Sequence, residues 1–362
     1  MTSPTIGHLR VDGATLHYEV RGEGPLLLLI PGGTGGAASF DGVADDLATG
    51  YTVASYDPRG LSRSPLDDPE AEQRVERHAD DAFRLLELLS PDAPARVAGC
   101  SSGAIVALHL LATHPERIER VVAHEPPVVE VLPDAAEHRA LLARVRDTFH
   151  REGLMPAAAV FAAGLRRPGP VDPAASAAPA HAVAPADPAD TPAASAAPAH
   201  AVAPADPADT PAGASASADA PKAAELPPEL PPEAAARVQR TMADMPYFLG
   251  RIVPSFMAYT PDVDRLRALS DRLVLAAGAD SAGELPYRPA AFLAERFGTP
   301  LVHFPGGHTG LSTHPAEFGE RLRGALETGP PERAGRQPGS FLQPGFVAAT
   351  ATGAPRGSMS TT

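Results

Sequence analysis

The chain has 362 residues, a formal net charge of −14 at pH 7, 44% hydrophobic residues, one cysteine, 42 prolines and 32 glycines. An acidic balance without a long basic run excludes nucleic acid or an anionic membrane surface as the main partner, and the lone Cys100 excludes an internal disulfide or a cysteine-based metal site. Proline and glycine together make up about a fifth of the residues, which implies that part of the chain is not folded.

In chain order, residues 9–11 and 15–20 read as a hairpin around Asp12-Gly13. No signal-length apolar core precedes them and no run reaches the ~20 apolar residues of a membrane span, so a cytoplasmic location is expected. Residues 26–30 are continuously apolar, as in a strand covered on both faces, and end at Pro31-Gly32-Gly33. The next strand, residues 51–56, ends at Asp57-Pro58-Arg59-Gly60. Residues 77–89 carry Ala82, Leu85, Leu86 and Leu89 at helical spacing. A strand at 95–98, a helix at 102–113 and a strand at 118–123 follow. Such alternation predicts right-handed crossovers and an α/β fold with a mostly parallel sheet.

The alternation then stops. Residues 135–150 are amphipathic and helical, and residues 166–232 are dominated by Ala, Pro, Asp and Ser. Within them the 19-residue segment at 174–192 recurs unchanged at 193–211. Two such copies could not bury a shared core, and so few large side chains offset little chain entropy, so a disordered insertion is expected. Order resumes near Pro232. Residues 242–259 bring Tyr247, Phe248, Phe256 and Tyr259. Strand and helix signals return at 272–277, 288–297, 300–304 and 315–326, and the Gly/Pro/Ser/Thr-rich tail from 328 to 362 is expected to be disordered. The expected organisation is one domain built from residues 1–125 and 269–327, interrupted at 126–268.

Gly99-Cys100-Ser101-Ser102-Gly103 has the form G-x-S-x-G and stands between a strand and a helix. There a turn sharp enough to strain the central residue projects its hydroxyl from the strand end, and the flanking glycines relieve collisions with nearby backbone. The helix N-terminus behind it favours developing negative charge. A serine hydroxyl needs a base, because it is protonated near neutral pH. His308, in the glycine-rich loop 305–310 after the last predicted strand, is the candidate. The imidazole needs an anion to fix its tautomer. Asp280, after the strand at 272–277, is preferred for that role, and Glu125, after the strand at 118–123, is the alternative.

With these residues in place, the chain resembles the α/β-hydrolase family over about residues 8–327, the insertion excepted. The resemblance implies an α/β-hydrolase fold with helices on both faces of the sheet and a helical cap inserted at 126–268. It implies a Ser–His–Asp triad of Ser101, His308 and Asp280, in the chain order of that family. It also implies an oxyanion hole made by the backbone N–H of Ser102 and one N–H of the turn 31–36. This turn starts Pro-Gly where the family usually has His-Gly, which leaves Gly33, the preferred donor, and Thr34 both open. The expected activity is hydrolysis of an ester or related acyl bond in a small-molecule substrate, expected to be an apolar acyl compound, without a cofactor or metal. Acyl transfer, cofactor-free perhydrolysis of the haloperoxidase type, and a non-catalytic ligand sensor are the alternatives on the same fold. Residues 242–259 either line the substrate pocket or pack the cap.

Overall fold

The computed structural model describes residues 3–166 and 232–327. The tandem repeat at 174–211 and the tail from 328 lie outside the described residues, so the expectations of disorder there are not addressed. Two compact units divide the chain: Met1–Arg167 with Arg237–Thr362, and Pro168–Ala236. The second is described only at residues 232–236, the start of one helix.

The chain begins with the hairpin β1 (Thr5–Val11) and β2 (Ala14–Arg21), turned by Gly13 at φ 76°. Then come β3 (Leu26–Ile30), α1 (Asp41–Leu47), β4 (Thr52–Tyr56), α2 (Val75–Leu89), β5 (Ala95–Cys100), α3 (Ser102–Thr113) and β6 (Ile118–His124). Helices α4 (Ala135–Glu152), α5 (Leu154–Leu165), α6 (Pro232–Tyr247), α7 (Val253–Met257) and α8 (Val263–Ala268) stand between β6 and β7 (Leu273–Gly278). The described chain ends with α9 (Tyr287–Phe297), β8 (Val302–Phe304), α10 (Gly310–Thr313) and α11 (Pro315–Glu327).

Among the described residues the strands form one eight-stranded sheet in the order β1-β2-β4-β3-β5-β6-β7-β8. The pairs β1/β2 and β2/β4 are antiparallel; all others are parallel. Helices cover both faces, and the period of two along a strand divides the core between them. In β3, Leu26, Leu28 and Ile30 face α2 and α3, and Leu27 and Leu29 face α1 and α11. This explains why the run carries no polar residue: all five side chains are buried. A third apolar cluster joins Leu141, Leu142 and Val145 of α4 to Leu249, Val253 and Met257, on and around α7. Thus part of the aromatic-rich stretch 242–259 serves ordinary packing, while Ile252 and Phe256 pack against the main core. Among the described residues no helix is long and apolar enough to cross a membrane.

The parallel strands β3, β5, β6, β7 and β8 end on one edge of the sheet. A βα crossover always delivers the chain to that edge before the helix begins, so the loops there converge. β5 and α3 meet with almost no room. A Cβ on Gly103 would lie 2.3 Å from the Ile30 carbonyl oxygen, and one on Gly99 would lie 2.4 Å from the Gly103 carbonyl oxygen. Because these obstacles are backbone atoms, they cannot swing aside. Gly103→Ala is therefore expected to cost at least about 1–3 kcal/mol, the usual range for overpacking, read as a lower urea midpoint at unchanged m-value.

Candidate active site

Ser101 sits between β5 and α3 at φ 52° and ψ −122°. For a non-glycine residue this conformation is strained and survives only where surrounding structure enforces it. Its N–H donates to the His124 carbonyl at 2.9 Å, which ties the turn to the end of β6. The next residue along β6, Glu125, also has a left-handed φ, 49°. Its own N–H donates to the Ala276 carbonyl at 2.9 Å. The resulting kink turns the carboxylate inward rather than toward solvent.

The Glu125 carboxylate is fully buried, and both oxygens are engaged. Oε2 is 2.6 Å from His308 Nδ1. Oε1 accepts the Gly278 N–H at 2.8 Å and the Ser281 hydroxyl. Burial alone would raise this carboxyl's pKa. The hydrogen bonds from His308 and Ser281 outweigh it and hold the value below the ordinary 4.5. With a carboxylate as acceptor, Nδ1 of His308 carries the proton.

Here the expected assignment of the acid needs correction. Asp280 does not meet His308. It lies in a short 3-10 turn after β7, exposed, with its N–H donating to the Gly306 carbonyl at 2.9 Å. The structure brings Glu125 to the imidazole instead. Asp280 supports the loop of His308 through its backbone only. Sequence reasoning also missed Gly278 and Ser281, which hold the second oxygen of Glu125. The Gly278 position admits no side chain, since a Cβ would lie 2.6 Å from the Gly307 backbone. Only its place beside the His308 loop shows this.

The turn after β3 supplies Gly33 at φ 62°. Its N–H donates to the Ser102 hydroxyl at 3.0 Å. Gly32 has to be glycine because a Cβ there would lie 2.8 Å from that of Ser101. The Gly-rich turn therefore lies directly against the serine turn. Asp57, read from the sequence as structural, is buried beneath it and accepts the Ala37 N–H (2.8 Å) and Arg63 Nε (2.7 Å). Arg59 pairs with buried Asp81. Cys100 is partly buried beside the second core cluster, with its thiol pushed up to about 12 by burial. A narrow cleft beside Gly33 and Ser102 is walled by Tyr56, Leu61, Val106 and Phe256.

Residues 25–167 match the family described as α/β hydrolase fold. A relative, the uncharacterized hydrolase YraK of Bacillus subtilis (strain 168), is 32% identical over 325 residues, covering 89% of this chain and 96% of that protein. The chain belongs to the α/β-hydrolase family. A zearalenone hydrolase of Bionectria ochroleuca is 36% identical over 119 residues, 32% of this chain and 45% of that enzyme. A solved structure of a thermophilic esterase from Thermogutta terrifontis superposes with a TM-score of 0.57 at 18% identity, covering 90% of this chain and 98% of that one. The fold is that of the α/β hydrolases, and the protein is a hydrolase of this family.

Two further histidines flank this α/β-hydrolase site, and both are buried. Burial, with Arg59 nearby, lowers His78 to about 3. Burial lowers His124 to about 4, against the opposing pull of Glu125. His124 is packed edge-on against Phe304 and Phe318, and its Nε2 has no hydrogen-bond partner. Both rings are thus neutral in the folded protein, whereas the unfolded chain protonates them below about pH 6.5. Their contribution is present above that pH and lost as pH falls toward 4. Stability should begin to drop near pH 6.5, each histidine adding roughly 1.4 kcal/mol per pH unit well below it. The lowered Glu125 carboxyl adds a further loss below about 4.5. Urea midpoints measured from pH 7.5 to 4.5 test this; a flat profile contradicts it.

Proposed function

We propose that this chain is a serine hydrolase that cleaves an ester or related acyl bond through Ser101, His308 and Glu125. One observation carries the reading. The strained Ser101 is hydrogen-bonded to the residue immediately before Glu125, and Glu125 holds the Nδ1 side of His308 at 2.6 Å. A glutamate from the end of β6 thus fills the place that the sequence reading assigned to Asp280. The names of relatives and neighbours, an esterase and a zearalenone hydrolase among them, agree with acyl-bond hydrolysis.

In this mechanism Nε2 of His308 takes the proton of Ser101 Oγ as the oxygen attacks the carbonyl carbon. The imidazolium that forms is stabilised by Glu125, whose other oxygen is already fixed by Gly278 and Ser281, so the anion needs no reorganisation. The oxyanion meets the N–H of Ser102, a free donor in the first turn of α3. The N–H of Gly33 joins it once the Ser102 hydroxyl, its resting acceptor, turns aside. His308 then protonates the leaving group, and water, deprotonated by the same imidazole, releases the acyl group. The helices between β6 and β7 act as the cap: Ile252 and Phe256 close the apolar cleft beside Gly33 and Ser102. That cleft has about 10 Å³ of space, roughly one water molecule's worth. It suits short acyl groups.

Three outcomes follow for a fluorophosphonate label and a p-nitrophenyl ester series. Ser101→Ala abolishes labelling, and Ser101→Ala or His308→Ala lowers kcat on the order of 10⁴-fold or more. Glu125→Gln costs on the order of 10²–10⁴-fold, whereas Asp280→Asn stays within about twofold; the reverse ranking would restore Asp280 as the acid. Across acetate, butyrate and octanoate esters, kcat/KM falls with chain length. Failure of the wild type to label at all would favour a ligand-binding sensor on this fold.

A further inference from the structure

A second cavity lies on the other side of the Gly-rich turn. It has about 60 Å³ of space and is bordered by Thr34–Gly36, Ser39, Arg63 and, from α6, Arg237, Arg240 and Thr241. Its three arginines differ in what they hold. Arg63 is committed: it binds Asp57 through Nε (2.7 Å) and Nη2 (3.0 Å), and Glu19 through Nη1 (2.9 Å). Arg237 is weakly paired, 3.4 Å from Asp41 across an exposed gap. Arg240 makes no hydrogen bond or ion pair among the described residues. Asp244, one turn on in α6, accepts the Ser62 N–H at 2.8 Å and interacts with Arg240 through charge alone. Asp57, the acid in the cavity wall, shares Arg63 with Glu19. Among the residues that line the cavity, three arginines stand against one acid, Asp57, in a protein whose net charge is −14.

The backbone gives a second, independent sign. Among the described residues only Ser62, Ser101 and Glu125 are non-glycine with left-handed φ. The latter two belong to the proposed catalytic group. The third, Ser62 at φ 52°, lines this cavity and is held by Asp244. Such strain persists where surrounding contacts enforce it, and it concentrates at binding and catalytic positions.

We propose that this cavity is a carboxylate-binding subsite, with Arg240 as its main anchor and Arg237 as its second, so that the preferred substrates are acyl compounds bearing a carboxylate away from the scissile bond. The proposal rests on the acyl-hydrolase reading for the bond cleaved, but not for the binding of the anion. Guanidinium groups match a carboxylate with paired N–H donors, and the hydroxyls of Ser39 and Thr241 stand in the same wall. At Gly33 the turn borders the cleft beside Ser102, and through Thr34–Gly36 it borders this cavity. A carboxylate seated there would fix the substrate's orientation across the oxyanion donors. An overall acidic protein repels anions at a distance, so a local positive pocket is what would let it accept one.

The test compares half-esters of dicarboxylic acids with neutral esters of equal length, and adds direct binding of adipate to the Ser101→Ala protein by calorimetry at low ionic strength. The expected results are a higher kcat/KM for the half-ester and a fall of tenfold or more in the half-ester to neutral-ester ratio for Arg240→Gln. Arg240→Lys, which keeps the charge, restores part of that ratio. Adipate binding should weaken with salt and with Arg240→Gln. If no ester is cleaved but adipate still binds in an Arg240-dependent way, the subsite stands and the acyl-hydrolase reading falls. Equal kcat/KM for both esters, together with adipate binding unaffected by Arg240→Gln, overturns the subsite. Phosphate binding more tightly than adipate overturns the assignment to carboxylates.

Discussion

The arrangement around Ser101 depends on one buried charge. Glu125 is a carboxylate with no exposure to solvent, and an unpaired charge in that place would cost several kcal/mol. It is tolerated because two separate segments converge on it: the end of β7, with the Gly278 N–H and the Ser281 hydroxyl, and the loop of His308. Glu125 itself follows β6, Gly278 and Ser281 lie at the end of β7, and His308 follows β8. The carboxylate thus ties three strand ends together, and the ring of His308 is placed by the same contact that supports its charge.

Tight backbone contacts make that convergence possible. Gly32, Gly99, Gly103 and Gly278 all stand where a side chain would collide with backbone or with Ser101 itself. Two strained residues, Ser101 and Glu125, lie at the ends of adjacent strands and are linked through the Ser101 N–H and the His124 carbonyl. The sheet core offsets this strain with apolar burial on both faces, and β3, buried at every residue, leads directly into the Gly-rich turn. Site and core are therefore coupled: loosening the packing of β3, β5 and α3 would move Ser101, the Gly33 and Ser102 N–H groups and the His308 loop together.

The helices inserted between β6 and β7 add what the sheet lacks. Ile252 and Phe256 reach the main core and narrow the cleft beside Ser102, while Arg237 and Arg240 of α6 bring positive charge to the far side of the same turn. One wall is apolar and the other cationic, and the reacting bond would lie between them. This division suggests a substrate with one small apolar end and one anionic end.

Much of this was legible in the sequence, because local patterns determine local structure. The unbroken apolar run of β3 required cover on both sides. The alternation of strand and helix signals required parallel crossovers, and the glycines two places either side of Ser101 marked the sharp turn. His308 could be read because a glycine-rich loop after the last strand must lie at the same sheet edge as Ser101. The acid could not. Asp280 and Glu125 both follow a strand of the parallel sheet, and spacing along the chain does not say which carboxylate turns inward. That depended on tertiary structure: the left-handed φ of Glu125 and the donors of Gly278 and Ser281 make its burial affordable, whereas Asp280 has only solvent to face. The cationic cavity was equally hidden, since Arg63 and Arg240 are far apart in sequence and only the packing of α6 near the turn after β3 places them in one wall.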